Sequence, residues 1–353
     1  MEIKSFRHLL ILLFLPIFLA GQSPDLEKKI DAYLQPLIEM DAWSGVIGIY
    51  KNGDPVLEKA YGYADREWEI PMSIDGRFRI ASISKVFTEV AILILAEQGK
   101  LDTEDFLAKF YPGFPSGQEI TLNQLLNHTS GLPHLNSFEN YDELIKSDYT
   151  LTEVISLFKD LPLDFEPGER YRYSNSGYVM LAYVIEQVSG LSYQSFLKEQ
   201  IFDRIGLKNT GIDQSEQILA KRVKGYMFDP AAKLAKASYV NMDIKIGGGS
   251  LYSNLRDLAI FTHSLVEGQL LHETSLDQLS NIQTQNTGKF FTANGRVQGY
   301  CHQITHRYED GLTVIVLGNH YSNIALPISQ ALSQIYNGQQ VEAPKNHLKQ
   351  KTV

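Results

Sequence analysis

Strand-forming runs stand at the two ends of this chain, and a long helical stretch separates them. Val46 to Tyr50 and Val56 to Tyr63 read as strands, with Asn52-Gly53 between them. Both turn residues tolerate positive φ, so the pair reads as a hairpin. Far downstream, Tyr300 to Tyr308 and Leu312 to Asn319 form a second strand pair around Glu309-Asp310-Gly311. From about residue 105 to 240 the pattern is instead helices and loops, rich in aromatic and turn residues. The simplest architecture is α+β: an antiparallel sheet built from both chain ends, flanked by helices, with an inserted, mainly helical domain.

Two helices are expected to cover that sheet. Leu26, Ile30, Leu34 and Leu37 repeat at helical spacing after the start signal Ser23-Pro24-Asp25, with Pro36 as an expected kink. Leu326 to Tyr336 supplies the last helix. The expected divisions are a leader at 1–21, a discontinuous sheet domain at 22–80 and 245–337, a helical domain at 81–244, and a polar tail at 338–353. A small-molecule site is expected in the cleft between the two parts.

The leader has a basic start (Lys4, Arg7, His8), an apolar run from Leu9 to Ala20, and small residues Ala20 and Gly21. The run is too short to span a bilayer, which takes roughly 20 apolar residues. It reads as a cleaved secretory signal, so the protein is expected to be exported, periplasmic or secreted, with no membrane span afterwards. Removing 1–21 takes away Lys4, Arg7 and Glu2, leaving 30 basic and 40 acidic residues, a formal charge of −10 against −9 for the whole chain. With no basic run, nucleic acid is not an expected partner. The single cysteine, Cys301, excludes an internal disulfide and a thiolate zinc cluster.

Ser82-Ile83-Ser84-Lys85 opens a helix that runs through Phe87, Val90 and Ile94 to Gly99. Residues three apart share a helix face, so the amine reaches the hydroxyl. The helix N-terminus favours a developing oxyanion and lowers a nearby lysine pKa. A partly buried lysine then acts as general base toward serine. A second such pair, Ser195 and Lys198, falls inside a helix starting near Ser192 and reads as a solvated face. Tyr-Ser-Asn occurs three times, at Tyr173, Tyr252 and Tyr321. Asn254 reads as a helix cap, and capping also suffices for Tyr321 to Asn323. Tyr173 to Asn175, in a loop before the apolar helix Val179 to Val188, is the copy suited to a cleft. A tyrosine there can relay the serine proton, and an asparagine can hold a substrate amide or the lysine.

His302 and His306 would share one face of a strand but stand about 13 Å apart at roughly 3.3 Å per residue, too far to chelate one ion. With no His-Glu-x-x-His motif either, neither metal nor cofactor is expected. His128 reads as a partner for backbone groups near the cleft.

The run Phe78 to Lys85 closely resembles the nucleophile motif of class C β-lactamase-like serine hydrolases, which include penicillin-binding DD-peptidases, esterases and D-amino-acid amidases. Leu125 to Leu132 resembles their His-Thr-Ser-Gly segment, Phe165 to Asn175 their Pro-Gly…Tyr-Ser-Asn loop, and Gly247 to Leu258 their Gly-Gly…Ser…Asp-Leu element. Gly299-Tyr300 and Val314 to Asn319 resemble the strands that close the site. The resemblance spans roughly residues 25 to 335. It implies that Ser82 attacks a carbonyl and forms an acyl-enzyme that water hydrolyses. Lys85 and Tyr173 would share acid and base work, and Asn175 would orient the substrate or Lys85. The oxyanion would sit on the N–H of Ser82 and one from the facing strand.

That strand is where the chain departs from the pattern. Lys-Thr-Gly or His-x-Gly is usual seven residues before the aromatic of Gly-Phe/Tyr, whereas counting back from Tyr300 lands on Ala293-Asn294-Gly295. Gly295 keeps the close backbone approach, and the N–H of Arg296 would serve the oxyanion. Ala293 lacks the polar side chain, a loss of about 1.5–3 kcal/mol if that bond acts in the transition state. This argues against substrates recognised by a free carboxylate. Asn286-Thr287-Gly288 has the wrong spacing to replace it; Arg296 or Lys289 are the candidate substitutes. The expected function is hydrolysis of a small-molecule or peptide ester or amide, with an esterase or amidase favoured over an efficient β-lactamase. The alternative is a catalytically impaired relative that binds peptide or peptidoglycan fragments.

Overall fold

The computed structural model describes residues 24–229, 231, 233–279 and 289–343. The expected leader, Asn286-Thr287-Gly288 and most of the polar tail lie outside these residues. The elements that carry the site are the helix α1 (Pro24–Glu39), strands β1 (Gly45–Lys51), β2 (Asp54–Tyr61) and β3 (Phe78–Arg79), and helices α2 (Ser84–Glu97) and α3 (Asn175–Ser189). They continue with β4 (Leu251–Ser253), α4 (Leu255–Val266), β5 (Phe290–Val297), β6 (Tyr300–Arg307), β7 (Leu312–Gly318) and α5 (Ala325–Tyr336).

Both chain ends meet in one antiparallel sheet of order β5-β6-β7-β1-β2. β1 pairs with β7 from Gly45↔Gly318 to Lys51↔Leu312, so the downstream hairpin docks on the upstream one. Asn52 and Gly53 turn the first hairpin with φ of 51° and 84°, the left-handed pair that a tight turn of this hand requires. The central strands are covered on both faces, which explains their near-continuous apolar runs. On one face Ile47, Ile49, Val314 and Val316 pack under α1 and α5 with Ile30, Leu34, Ile328 and Leu332. On the other, Val46, Tyr50, Ile315 and Leu317 join the larger core of the helical part. Pro36 does not end α1, which runs on to Glu39 because Leu37 continues its buried stripe.

α2 is buried from Ser84 to Leu95, so its sequence is apolar all round rather than along one stripe. It packs against α3 and carries the end of the Gly247-Gly248-Gly249 segment on its polar groups. Thr88 Oγ1 donates to the Gly247 carbonyl at 2.5 Å, and the Leu251 N–H donates to Ser84 Oγ at 3.1 Å. Gly247 has φ of +74°, and a Cβ there would stand 2.1 Å from the Tyr178 carbonyl oxygen of α3. Only glycine lets the three elements close up.

A pair of variants tests this packing. Gly190, at the end of α3, has a similar φ of +70° with nothing within 4 Å of a Cβ. Gly190→Ala is expected to lose only the left-handed backbone penalty, about 1–2 kcal/mol. Gly247→Ala adds a collision with backbone and is expected to lose at least about 2 kcal/mol more, read from urea unfolding midpoints.

Candidate active site

The chain reaches Ser82 through a short, tightly held turn. The Ile80 N–H donates to the Leu251 carbonyl at 2.9 Å, continuing the pairing of β3 with β4. A one-turn 3₁₀ helix, Ala81–Ile83, then leads into α2. Ala81 takes φ of 50°, a left-handed conformation costing about 1–2 kcal/mol in a residue with a side chain. Its surroundings hold it there. Arg79 Nε donates to buried Asp213 at 2.7 Å, and Arg222 reaches the same carboxylate at 2.6 Å. His302 Nε2 lies 2.7 Å from the Arg79 carbonyl. From the front, β5 runs directly past the turn. A Cβ on Gly295 would stand 2.2 Å from the Ile80 carbonyl oxygen, so the expected close approach at Gly295 is present.

Four of the sequence-predicted side chains meet at this turn. Ser82 Oγ lies 2.8 Å from Tyr173 Oη and 3.5 Å from Lys85 Nζ. Lys85 Nζ also donates to Asn175 Oδ1 at 2.8 Å and to the Gly248 carbonyl at 2.6 Å. Its amine is wholly buried, between the Tyr173 and Tyr178 rings at 4.8 and 5.0 Å from their centres. Burial, and after it the charge of Lys245, holds Lys85 well below the usual ammonium range, against the pull of Glu89. Burial likewise pushes the Tyr173 phenol above its usual range, against the effect of its hydrogen bond with Ser82. The arrangement therefore favours the unprotonated amine and the protonated phenol beside one serine hydroxyl.

Two histidines fix the loop that carries Tyr173. The Ser174 N–H donates to His128 Nδ1 at 3.2 Å, and the Asn175 N–H donates to His134 Nδ1 at 3.1 Å. An imidazole nitrogen that accepts an amide hydrogen carries no proton, so both rings are neutral. Burial agrees, lowering His128 to about 3 and His134 to about 4. His128 thus has the backbone-holding place expected of it. Asn136 accepts from Asn175 Nδ2 at 2.7 Å, which leaves Oδ1 turned to Lys85. Neither His134 nor Asn136 is singled out by sequence, although both directly follow the His-Thr-Ser-Gly segment.

Two arms of one cleft open on Ser82. The wider, about 480 Å³, runs past Asn294, Gly295, Arg296, Gln303 and Asn323. The narrower, about 100 Å³, is lined by His134, Asn136, Asn175, Lys245 and Gly248. Arg296 borders both. Its guanidinium donates to Asn323 Oδ1 and lies 5.1 Å from the centre of the Tyr321 ring. Tyr321 to Asn323 therefore does not cap α5, contrary to the expectation from sequence: the residue at its N-terminal boundary is Ile324, with no side-chain cap, and the segment instead meets Arg296. Position 293 has a different fate. Ala293 is buried opposite Ile304, on the inner face of β5, while Asn294 takes the cleft face. Lys289 precedes β5 and does not line the cleft. Lys245, missed in the sequence, does.

The remaining candidates have other partners. Lys198 pairs with Asp203 at 2.6 Å, and Ser195 accepts from Ser192 on an exposed turn. Asn254 Oδ1 caps α4 by accepting the Asp257 N–H at 2.9 Å. His306 Nδ1 lies 2.9 Å from Thr313 Oγ1. Among the described residues no helix is long and apolar enough to cross a membrane.

The chain is similar to several known proteins. The sequence is 29% identical over 353 aligned residues to penicillin-binding protein 4* of Bacillus subtilis (strain 168), covering 90% of this chain and 78% of that protein. It is 26% identical over 299 residues to a teichoic acid D-alanine hydrolase of Staphylococcus aureus, covering 82% and 72% respectively. The octameric penicillin-binding protein homologue from Pyrococcus abyssi superposes with a TM-score of 0.78 at 26% identity, over 91% of this chain and 79% of that one. The family described as Beta-lactamase matches residues 30–323, which include the Ser82 turn, the Tyr173 loop and β5. A serine hydroxyl flanked by a buried amine and a phenol, on the fold these proteins share, places this chain in the beta-lactamase family of serine hydrolases.

Proposed function

We propose that the protein hydrolyses a small ester or amide through an acyl-enzyme on Ser82, and that its substrates are neutral or anionic near the scissile bond. The observation that carries the first part is the placement of Ser82 Oγ, 2.8 Å from Tyr173 Oη and 3.5 Å from Lys85 Nζ. Ser82 Oγ bonds to the carbonyl carbon while its proton passes to Lys85, with Tyr173 bridging. The carbonyl oxygen becomes an oxyanion on the N–H groups of Ser82 and Arg296. Collapse breaks the bond to the leaving group, which takes a proton back from the same pair. Water then adds to the acyl-enzyme, gives up its proton to Lys85 and frees Ser82. Asn175 holds the amine in line through its 2.8 Å bond.

The second part rests on charge. Arg296 and Lys245 line the cleft, and no carboxylate does so among the described residues. An ammonium on the acyl group would meet two cations in a partly desolvated space. This differs from the sequence expectation, which took the loss at Ala293 to argue against carboxylate-bearing substrates.

Ser82→Ala is expected to abolish the covalent adduct with a fluorophosphonate, seen by intact mass; an adduct that persists overturns the nucleophile assignment. No adduct in the unaltered protein, with no turnover of a p-nitrophenyl ester, would favour the peptide-binding reading. Lys85→Met and Tyr173→Phe are each expected to slow acylation by about 10²- to 10⁴-fold. For matched esters of D-alanine and N-acetyl-D-alanine, kcat/KM at pH 7 should favour the acetylated one by about tenfold, or about 1.4 kcal/mol. A preference for the free ammonium sinks the charge reading. Residues 1–21 are proposed as a cleaved export signal; protein recovered outside the cytoplasm should then begin near Gln22 and not at Met1.

A further inference from the structure

Lys245 ends a one-turn 3₁₀ helix, Asp243–Lys245, just before the glycine segment. Its carbonyl accepts the N–H groups of Gly248 at 3.0 Å and Gly249 at 2.7 Å. The Gly248 carbonyl in turn holds Lys85 Nζ at 2.6 Å. One hydrogen-bonded turn thus carries the Lys245 amine and accepts from the Lys85 amine. The Lys245 side chain packs against Gly249, where a Cβ would come within 3.5 Å of it. Its Nζ donates to Tyr141 Oη at 2.5 Å and lies 5.2 Å from the centre of that ring. The residue is buried, yet it lines the narrow arm beside Ser82 and Asn175.

The charged and titratable groups around the two amines come from several elements. Arg79 stands nearby on β3, its charge already matched by Asp213, which also binds Arg222. His134 and His128, both neutral, face the amines from the loops before α3. Tyr141 faces Lys245, and Tyr173 and Tyr178 face Lys85. Glu89, one turn along α2, favours a charged Lys85 and accepts from Tyr178 Oη at 2.5 Å. Asp243 lies on the Lys245 turn, its N–H bonded to Asn241, and Asn241 Nδ2 donates to Asp148. No carboxylate forms an ion pair with Lys245 among the described residues. We propose that Lys245, delivered by the turn before Gly247, is a positioning residue of this active site, a cation beside Arg296 whose charge disfavours protonation of the proton acceptor Lys85.

Burial, and then the charge of Arg79, lowers the Lys245 amine to about 8, so it is charged through neutral pH. A like charge nearby disfavours the protonated form of Lys85. Removing it makes Lys85 easier to protonate, so the base becomes available only at higher pH.

This inference rests on the Ser82 hydrolase reading, and the test separates the two. The rate of Ser82 acylation by a neutral fluorophosphonate is measured against pH for the full chain and for Lys245→Met, Lys245→Gln and Lys245→Arg. Both uncharged variants are expected to move the acidic limb up by about 0.5–1 pH unit. Above that limb their rates should return to within about threefold of the unaltered protein, while Lys245→Arg keeps the limb in place. A uniform loss of rate with an unmoved limb in the uncharged variants overturns the proposal and leaves Lys245 structural. So does a limb that moves equally in Lys245→Arg. An adduct that survives in Ser82→Ala, run in parallel, would instead remove the hydrolase reading itself.

Discussion

An amine buried at the centre of a protein is tolerable only where its hydrogens find acceptors and its charge is discouraged. Lys85 meets both conditions, and much of the molecule is arranged so that it does. The Gly248 carbonyl and Asn175 Oδ1 accept its hydrogens. The first requires the glycine segment to lie against α2, which the positive φ of Gly247 permits. The second requires the Tyr173 loop to end at the start of α3, where His128 and His134 hold its backbone. Tyrosine rings enclose the amine on two sides. Each contact reaches Lys85 from a different stretch of chain, so the amine ties the helical part together as well as serving Ser82.

Parts of this arrangement are legible in the sequence because they rest on local rules. The hairpin at Asn52-Gly53, the two-faced apolar strands and the Ser-x-x-Lys turn follow from period, turn chemistry and helix geometry. Asn254 and Ser195 could be set aside for the same reason, since caps and exposed helix faces have local signatures. Lys245 could not be found that way. It sits between Ile244 and Ile246, and only the folding of its turn against α2 brings it to the cleft. Tyr321 to Asn323 was misjudged for the converse reason. A local role as a cap was available, and the pairing with Arg296 depends on how β5 and α5 meet in space.

Position 293 shows how pleat decides the meaning of a substitution. Side chains of β5 alternate, so Phe291, Ala293 and Gly295 face inward while Asn294 and Arg296 face the cleft. An inward alanine leaves the sheet well packed but takes nothing polar to the nucleophile turn. The cleft still carries positive charge, from Arg296 and Lys245, on a chain whose formal charge is −9. A local field of one sign inside a surface of the other focuses on the cleft and selects among the small molecules that enter it.

The pairing of β1 with β7 also sets the order in which this site comes into being. Ser82, Lys85, Tyr173 and Asn175 all precede residue 176, yet the strand that walls them, β5, reaches its place only through β6 and β7. β7 in turn needs β1, and Gly45 meets Gly318 across almost the whole chain. Contacts between such distant residues are slow to form, because a long loop must close before they are made. During synthesis the nucleophile and its base exist well before the groove that would give them a substrate. Hydrolytic competence therefore depends on closure of the sheet, and a chain cut short before β7 would keep its reactive residues without an enclosed place to use them.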